Sequence, residues 1–306
     1  MPGSASGSVS GLICYVARVP APLFQLSSAR IDVEGVPAVD GLSLETSGDR
    51  VVVLGGPKAF FEAVGGVRTP SHGEVRVRGV PARRAARSGQ VASAPLDAPL
   101  PPRWTARDYA TWGARLSGRD KRNAQSLAEQ ALALMKIASI DERLVNASLL
   151  TRRSVSVAGA LATGAETILL EDPIAGLPDD AARNLARVTL RALEGRGWAL
   201  FAARLPLESP FAMDADEAIV ITGSRVLSQG APVELASRER AYALRVLGPA
   251  EDFARLATAR GARVSGTGGD LAVDLGPSLA VSDLLRFAVE AEATVLELEP
   301  VGHAFA

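Results

Sequence analysis

Along this chain the spacing of apolar and polar positions changes several times, and each change predicts an element. Residues 29–33, 41–45 and 50–54 are patterned as short strands, with Gly and Asp between them. The Gly55-Gly56-Pro57-Lys58 turn follows, then AFFEAVGG with helical spacing, then strand patterns at 73–78 and 90–93. Residues 105–161 are rich in Ala, Leu, Arg, Glu and Gln and keep a helical period, as in SLAEQALALMKIASI, which predicts a helical block. Strand and helix then alternate through ILLE, DDAARNLARVTLRALEG and WALFAA, and EAIVITGSRVLSQG predicts a hairpin turning at Gly223-Ser224. Such alternation predicts an α/β core with a mainly parallel sheet.

Past residue 239 the order becomes strand, helix, hairpin, helix, strand, that of a small ferredoxin-like α+β unit. The breakers therefore predict a partly flexible N-terminal extension over 1–28 and a larger domain over 29–238, with a helical subdomain at about 100–160. A C-terminal domain is expected over 239–306, the boundary falling near 236–241.

Composition narrows the chemistry. The 306 residues are 47% hydrophobic, enough for a large core, and 33 Lys plus Arg nearly cancel 34 Asp plus Glu. No global field favours nucleic acid or an anionic membrane surface, and the clusters Arg83, Arg84, Arg87 and Arg119, Lys121, Arg122 read as solvated faces. Cys14 is the single cysteine, and His72 and His303 lack ligand spacing, so no metal site is predicted. The N-terminus has no basic n-region of a signal peptide, and no apolar run reaches spanning length, so a cytoplasmic protein is expected.

Two stretches carry candidate chemistry. The strand 50–54 running into Gly55-Gly56-Pro57-Lys58 and a helix is where a phosphate loop belongs, with backbone N–H groups facing the phosphates. A working Walker A loop reads G-x-x-x-x-G-K-[ST]. Here Pro57 removes a donor and Ala59 stands where a hydroxyl should bind Mg²⁺; the alternative is a plain strand-turn-helix connection. In ILLEDPIAGL an apolar strand ends in Glu171 and Asp172, with the outline of a Walker B strand; alternatively, both acids terminate the strand and cap its turn.

In that order and approximate spacing, the string from 31 to 230 resembles the nucleotide-binding subunit of an ABC transporter. DGLSLETSGDRVVVLGGP resembles the lead into Walker A, and GVRTPSHGEVRVRG the stretch after it. VASAPLDAPLPPRWTARDYATWGARL resembles the Q-loop and the start of the helical subdomain. ILLEDPIAGL resembles Walker B with the D-loop, and EAIVITGSRVLSQGAPVEL the closing hairpin. The tail, ending LELEPVGHAFA, resembles the appendage of the subgroup serving ABC-2 type permeases. The resemblance implies a P-loop NTPase-like core with an antiparallel β subdomain and a helical subdomain. Its usual ligands are ATP and Mg²⁺, and its usual partners a second ATPase subunit and a permease at the inner face of the membrane.

Position by position, the same resemblance implies lost chemistry. About five residues of phosphate loop are missing against the family pattern. The Q-loop glutamine falls on Leu96, and the signature LSGGQ on Ala147, Ser148, Leu149, Leu150 and Thr151, so that only the serine survives. The switch histidine falls on Arg204, the D-loop aspartate on Pro178, and no aromatic stands between Arg30 and Asp40 to stack an adenine. The Walker B acids are exchanged, Glu171 before Asp172, which makes a metal ligand one methylene too long and a base one too short. The expectation is a degenerate, non-hydrolytic subunit without a cofactor. It would partner an active ATPase or an ABC-2 permease, with Trp104, Tyr109 and Trp112 as anchors for docking or as packing inside the helical subdomain. A functional ATP-binding subunit with an atypical site is the alternative. A Rossmann-like dinucleotide enzyme is more remote, since G-x-G-x-x-G is absent.

Overall fold

The computed structural model describes residues 21–222, 224–236, 241–276 and 278–300. Cys14, Gly223, His303 and the boundary at 237–240 lie outside the described residues.

β1 (Phe24–Val33) and β2 (Val36–Glu45) pair antiparallel, followed by β3 (Arg50–Leu54) and α1 (Lys58–Val64). β1 begins at Phe24, inside the stretch assigned from sequence to an extension. Phe24 and Leu26 are buried there, and burial of apolar rings outweighs the local Pro signals. β4 (His72–Val77), β5 (Val80–Pro81), α2 (Ala82–Arg87) and β6 (Val91–Ala94) come next. The sequence pattern did not predict α2, which is too short for a period to emerge. It buries Ala82 and Ala85 and leaves Arg83, Arg84 and Arg87 in solvent.

The helical block is α3 (Ala106–Leu116), α4 (Lys121–Leu134) and α5 (Leu149–Ala162). A reciprocal capping box starts α3: the Thr105 hydroxyl accepts from the Asp108 amide at 3.1 Å, and the Asp108 carboxylate accepts from the Thr105 amide at 2.9 Å. β7 (Thr167–Glu171), α6 (Asp179–Ala192), β8 (Gly197–Ala202), α7 (Pro210–Asp214), β9 (Glu217–Thr222), β10 (Arg225–Gly230) and α8 (Pro232–Ala236) complete the larger part.

Six strands form the central sheet in the order β10-β9-β3-β8-β7-β6, parallel except for the β9–β10 hairpin. Its inner strands are covered on both sides, which explains why VVVL, ILLE and WALF are apolar without alternation. Val51, Val53, Leu169, Ala199 and Phe201 face α1 and the antiparallel sheet β2-β1-β4-β5; Phe201 meets the rings of Phe60 and Phe61 at 5.5 Å. Val52, Leu54, Ile168, Leu170 and Trp198 face α5, α6 and α7. Each fully buried side chain of this size contributes roughly 1.5–3 kcal/mol.

The last part comprises β11 (Ala241–Leu247), α9 (Ala250–Ala259), β12 (Arg263–Thr267), β13 (Asp270–Asp274), α10 (Val281–Glu290) and β14 (Thr294–Pro300). Its sheet order, β12-β13-β11-β14 with every pair antiparallel, is that of a split βαβ unit, and α9 and α10 close its core through Phe253, Leu284 and Phe287. Among the described residues, no helix is long and apolar enough to cross a membrane.

Candidate functional site

Parallel strands β3, β8 and β7 deliver their carboxyl ends to one edge of the central sheet, and the sequence-predicted residues follow them. Gly55 leaves β3 with φ +77°, and a Cβ there would lie 2.3 Å from the Ile221 carbonyl oxygen. A Cβ on Gly56 would meet the Phe60 ring at 3.1 Å. Gly55 is thus required by its left-handed backbone and the Ile221 carbonyl, while a side chain at Gly56 would need the Phe60 ring to shift by a few tenths of an ångström.

Lys58 opens α1 and is half exposed. Its ammonium pairs with the Asp97 carboxylate at 3.0 Å, which, with help from Glu171, holds it above the usual lysine range. Glu171 ends β7 almost buried, at 8% exposure, and accepts the Leu96 backbone N–H at 2.9 Å. The next residue, Asp172, sits at φ +37°, a left-handed conformation that aspartate tolerates better than most residues. Burial raises its carboxyl above the usual carboxylate range, while the Arg153 guanidinium partly offsets this.

Segment 95–97 is therefore held from three elements. Lys58 of α1 takes Asp97, Glu171 of β7 takes the Leu96 N–H, and α5 takes two carbonyls. Arg153 donates to Leu96 O, and Ser156 donates to Pro95 O at 3.2 Å. The second nitrogen type of that guanidinium, Nε, is buried without a partner among the described residues. Of the two Walker B-like carboxylates, Asp172 feels the Arg153 guanidinium and Glu171 feels the Lys58 ammonium. No group of three or more His, Cys, Asp or Glu among the described residues could hold a metal ion.

Asp97 and Arg153 were not singled out in the sequence. Asp97 directly follows the Leu96 position, and Arg153 lies one turn beyond Leu149 on α5, so adjacency to altered positions was the only available signal.

The signature-like positions have structural occupations. Ser148 caps α5, its hydroxyl accepting the Thr151 N–H at 3.1 Å. Leu149 is 43% exposed and leans on Gly176, while Leu150 packs against the main core. Pro178 occupies the position before α6, whose first turn carries Asp179 and Asp180, favourable to the helix dipole. Arg204 is exposed on the loop after β8 and shares a cleft with Gly55. Of the three aromatics, Tyr109 is buried against Gly159 and its hydroxyl is pushed up by burial; Trp104 stacks edge-on to Trp112 at 5.9 Å, and Trp112 is 38% exposed.

No family model matches the chain. It is 31% identical over 170 residues to a taurine import ATP-binding protein of Mesorhizobium japonicum, covering 53% of this chain and 65% of that protein, a little under two thirds of its length. It is 26% identical over 239 residues to a Nod factor export ATP-binding protein of Rhizobium meliloti, covering 75% and 70%. Its structure superposes on cbiO1 of Clostridium perfringens, part of the cbiONQ ABC transporter complex, with a TM-score of 0.59 at 18% identity, covering 71% of this chain and 91% of that one. The fold is that of an ATP-binding cassette. Its sequence relatives are ATP-binding subunits of ABC transporters, importers and exporters alike.

Within that fold, Lys58, Asp97, Glu171 and Arg153 gather near the carboxyl ends of β3 and β7. In this arrangement Lys58 is paired with Asp97, and Glu171 and Arg153 hold the backbone of Leu96.

Proposed function

We propose that this chain is a degenerate ATP-binding cassette subunit that does not hydrolyse ATP. It acts as a structural or regulatory partner of an active cassette, of an ABC-2 type permease, or of both. The observation that carries this reading is the engagement of both chemically necessary groups by one segment of the chain: Lys58 by Asp97, and Glu171 by the Leu96 amide. A γ-phosphate needs that lysine free, and Mg²⁺ needs carboxylate oxygens free. Burial raises the neighbouring Asp172 carboxyl above the usual carboxylate range, and Arg153 offsets this only in part, which leaves that group a poor metal ligand.

In head-to-tail pairing, each composite site takes a Walker half from one chain and a signature half from the other. This chain would weaken both sites, the first through its shortened turn and the second through Leu149 and Leu150. What it retains is a docking surface. A groove of 360 Å³ between segment 96–102 and the helical block is lined by Leu96, Leu100, Leu144, Val145 and Leu149, with Arg152 and Arg153 beside them. Its apolar wall and basic flank suit a permease segment at the inner face of the cell membrane, which would make the protein peripheral there. Trp112 remains partly available for contact; Tyr109 is buried in the helical block.

Calorimetric titration of the purified chain with Mg-ATP is the test. The expected result is no saturable heat in the micromolar range and no phosphate release. Micromolar binding with hydrolysis that disappears on Glu171→Gln or Asp172→Asn would overturn the proposal and favour an energising subunit with an atypical site. Co-purification with a permease supports the partner role.

A further inference from the structure

A second cleft, of 300 Å³, lies where the C-terminal sheet meets the cassette. One wall is Gly55, the loop residues Ala203 and Arg204, the end of β9 and Leu227; the other is Ala243 with Leu298, Glu299 and Pro300 of β14. The two walls are tied together beside the cleft, where the Arg225 guanidinium of β10 donates to the Asp270 carbonyl at 2.8 Å. Asp270 is itself paired to Arg245 at 3.0 Å, so the tie continues into β11.

The position has a topological reason. β3 leads to α1 on one face of the sheet and β8 to α7 on the other, so their carboxyl ends diverge and leave a crevice. Here β14 forms its far side. Val220, Ile221, Leu227 and Leu298 make the interior apolar, and the two charged side chains of the lining stand on opposite walls. Arg204 and Glu299 are both exposed, and neither side chain has a hydrogen bond or ion pair among the described residues.

We propose that this cleft binds a small amphoteric molecule of the amino-acid class, its carboxylate on Arg204, its ammonium on Glu299 and its side chain against the apolar interior. A volume of 300 Å³ lies at the small end of ordinary ligand pockets and suits a molecule of amino-acid size. Opposed single charges disfavour a simple anion or cation, because each would meet a like charge across the cleft. Binding would cross-link the cassette to the C-terminal unit and stiffen their junction. The cleft uses neither Lys58 nor Glu171 but shares Gly55 and Arg204 with positions that the family resemblance assigned to a nucleotide site; amino-acid binding that Mg-ATP leaves unchanged separates the two readings.

The test is calorimetry and thermal unfolding of the full chain with the common L-amino acids one at a time. For leucine, the single-charge analogues 4-methylpentanoate and 3-methylbutylamine are added. At least one amino acid is expected to bind saturably and raise the unfolding temperature, while the analogues do neither. Arg204→Gln and Glu299→Gln should each weaken it on the order of tenfold or more without lowering the stability of the free chain, since both residues are exposed. Exchange of the pair, Arg204→Glu with Glu299→Arg, should restore part of the affinity. Saturable binding by none of the amino acids, binding unchanged in both single variants, or analogues that bind as well as leucine would each overturn the assignment.

Discussion

Replacing Glu171 by Ala and by Gln separates the two roles open to this residue. In the structure its carboxylate, almost buried, accepts one charge-assisted hydrogen bond of 2.9 Å from the Leu96 amide. Deleting it orphans that N–H in a partly buried site, and a bond to a charged acceptor is worth about 1.5–3 kcal/mol. Glu171→Ala should therefore lower the unfolding free energy by about 2 kcal/mol. Glu171→Gln keeps an acceptor oxygen at the same reach and gives up the charge, part of whose benefit comes from Lys58, so its loss should stay under about 1 kcal/mol. Urea unfolding followed by tryptophan fluorescence reads both values, with midpoints shifting and slopes unchanged.

The same experiment repeated with Mg-ATP supplies the refutation. A ligand at a hundred times its Kd would add about 2.7 kcal/mol to the folded state. The wild-type chain should gain nothing. Equal losses in Ala and Gln would mean that the charge, not the backbone bond, is what matters at this position. A stabilisation by Mg-ATP that Glu171→Gln enlarges, as when a bound nucleotide is no longer cleaved, would return Glu171 to catalysis.

Burial holds the folded Asp172 carboxyl above its ordinary value, so the folded chain binds that proton more tightly than the unfolded chain. Its contribution to stability should fall as pH rises from the usual aspartate value through the raised one. Asp172→Asn should thus exceed the parent in stability at neutral pH, with the gap closing in acid; urea midpoints across pH check it. Gly55→Ala must place a methyl 2.3 Å from the Ile221 carbonyl oxygen at φ +77° and should cost about 2–4 kcal/mol in the same assay. Glu217, 3% exposed, accepts from the Ser47 amide and hydroxyl and from Gln229 and joins β9 to the loop before β3, so Glu217→Ala should lose about 3 kcal/mol.

How much of this was legible in the residues depends on how many of them carry each feature. The sheet follows from runs such as VVVL, ILLE and WALF, where every position is apolar because both faces are covered, and no single substitution changes that message. The hairpins are local and equally readable, as is the start of the helical block at residue 105, where the structure shows Thr105 and Asp108 forming a capping box. α2 escaped notice because its six residues, with two buried alanines, hold less than two helical turns. The link between Lys58 and Asp97 escaped for another reason: it joins residues separated by 39 positions through a contact that no period encodes.

That difference also bears on how, under the proposed function, a site loses its chemistry while the cassette fold persists. The core rests on dozens of apolar side chains whose contributions are individually small and roughly interchangeable. The site rests on a few groups, and most have acquired a use in the fold itself. Ser148 caps α5, the turn glycines admit the Ile221 carbonyl and the Phe60 ring, and Glu171 with Arg153 fixes segment 95–97. Restoring individual family residues would therefore not restore a phosphate site. Leu96→Gln, for example, leaves the backbone bonds of Leu96 to Glu171 and Arg153 in place and leaves Lys58 paired to Asp97. A gain of Mg-ATP affinity from that substitution alone would show that those bonds yield readily, and that the neutralised arrangement is one state of a site still open to nucleotide.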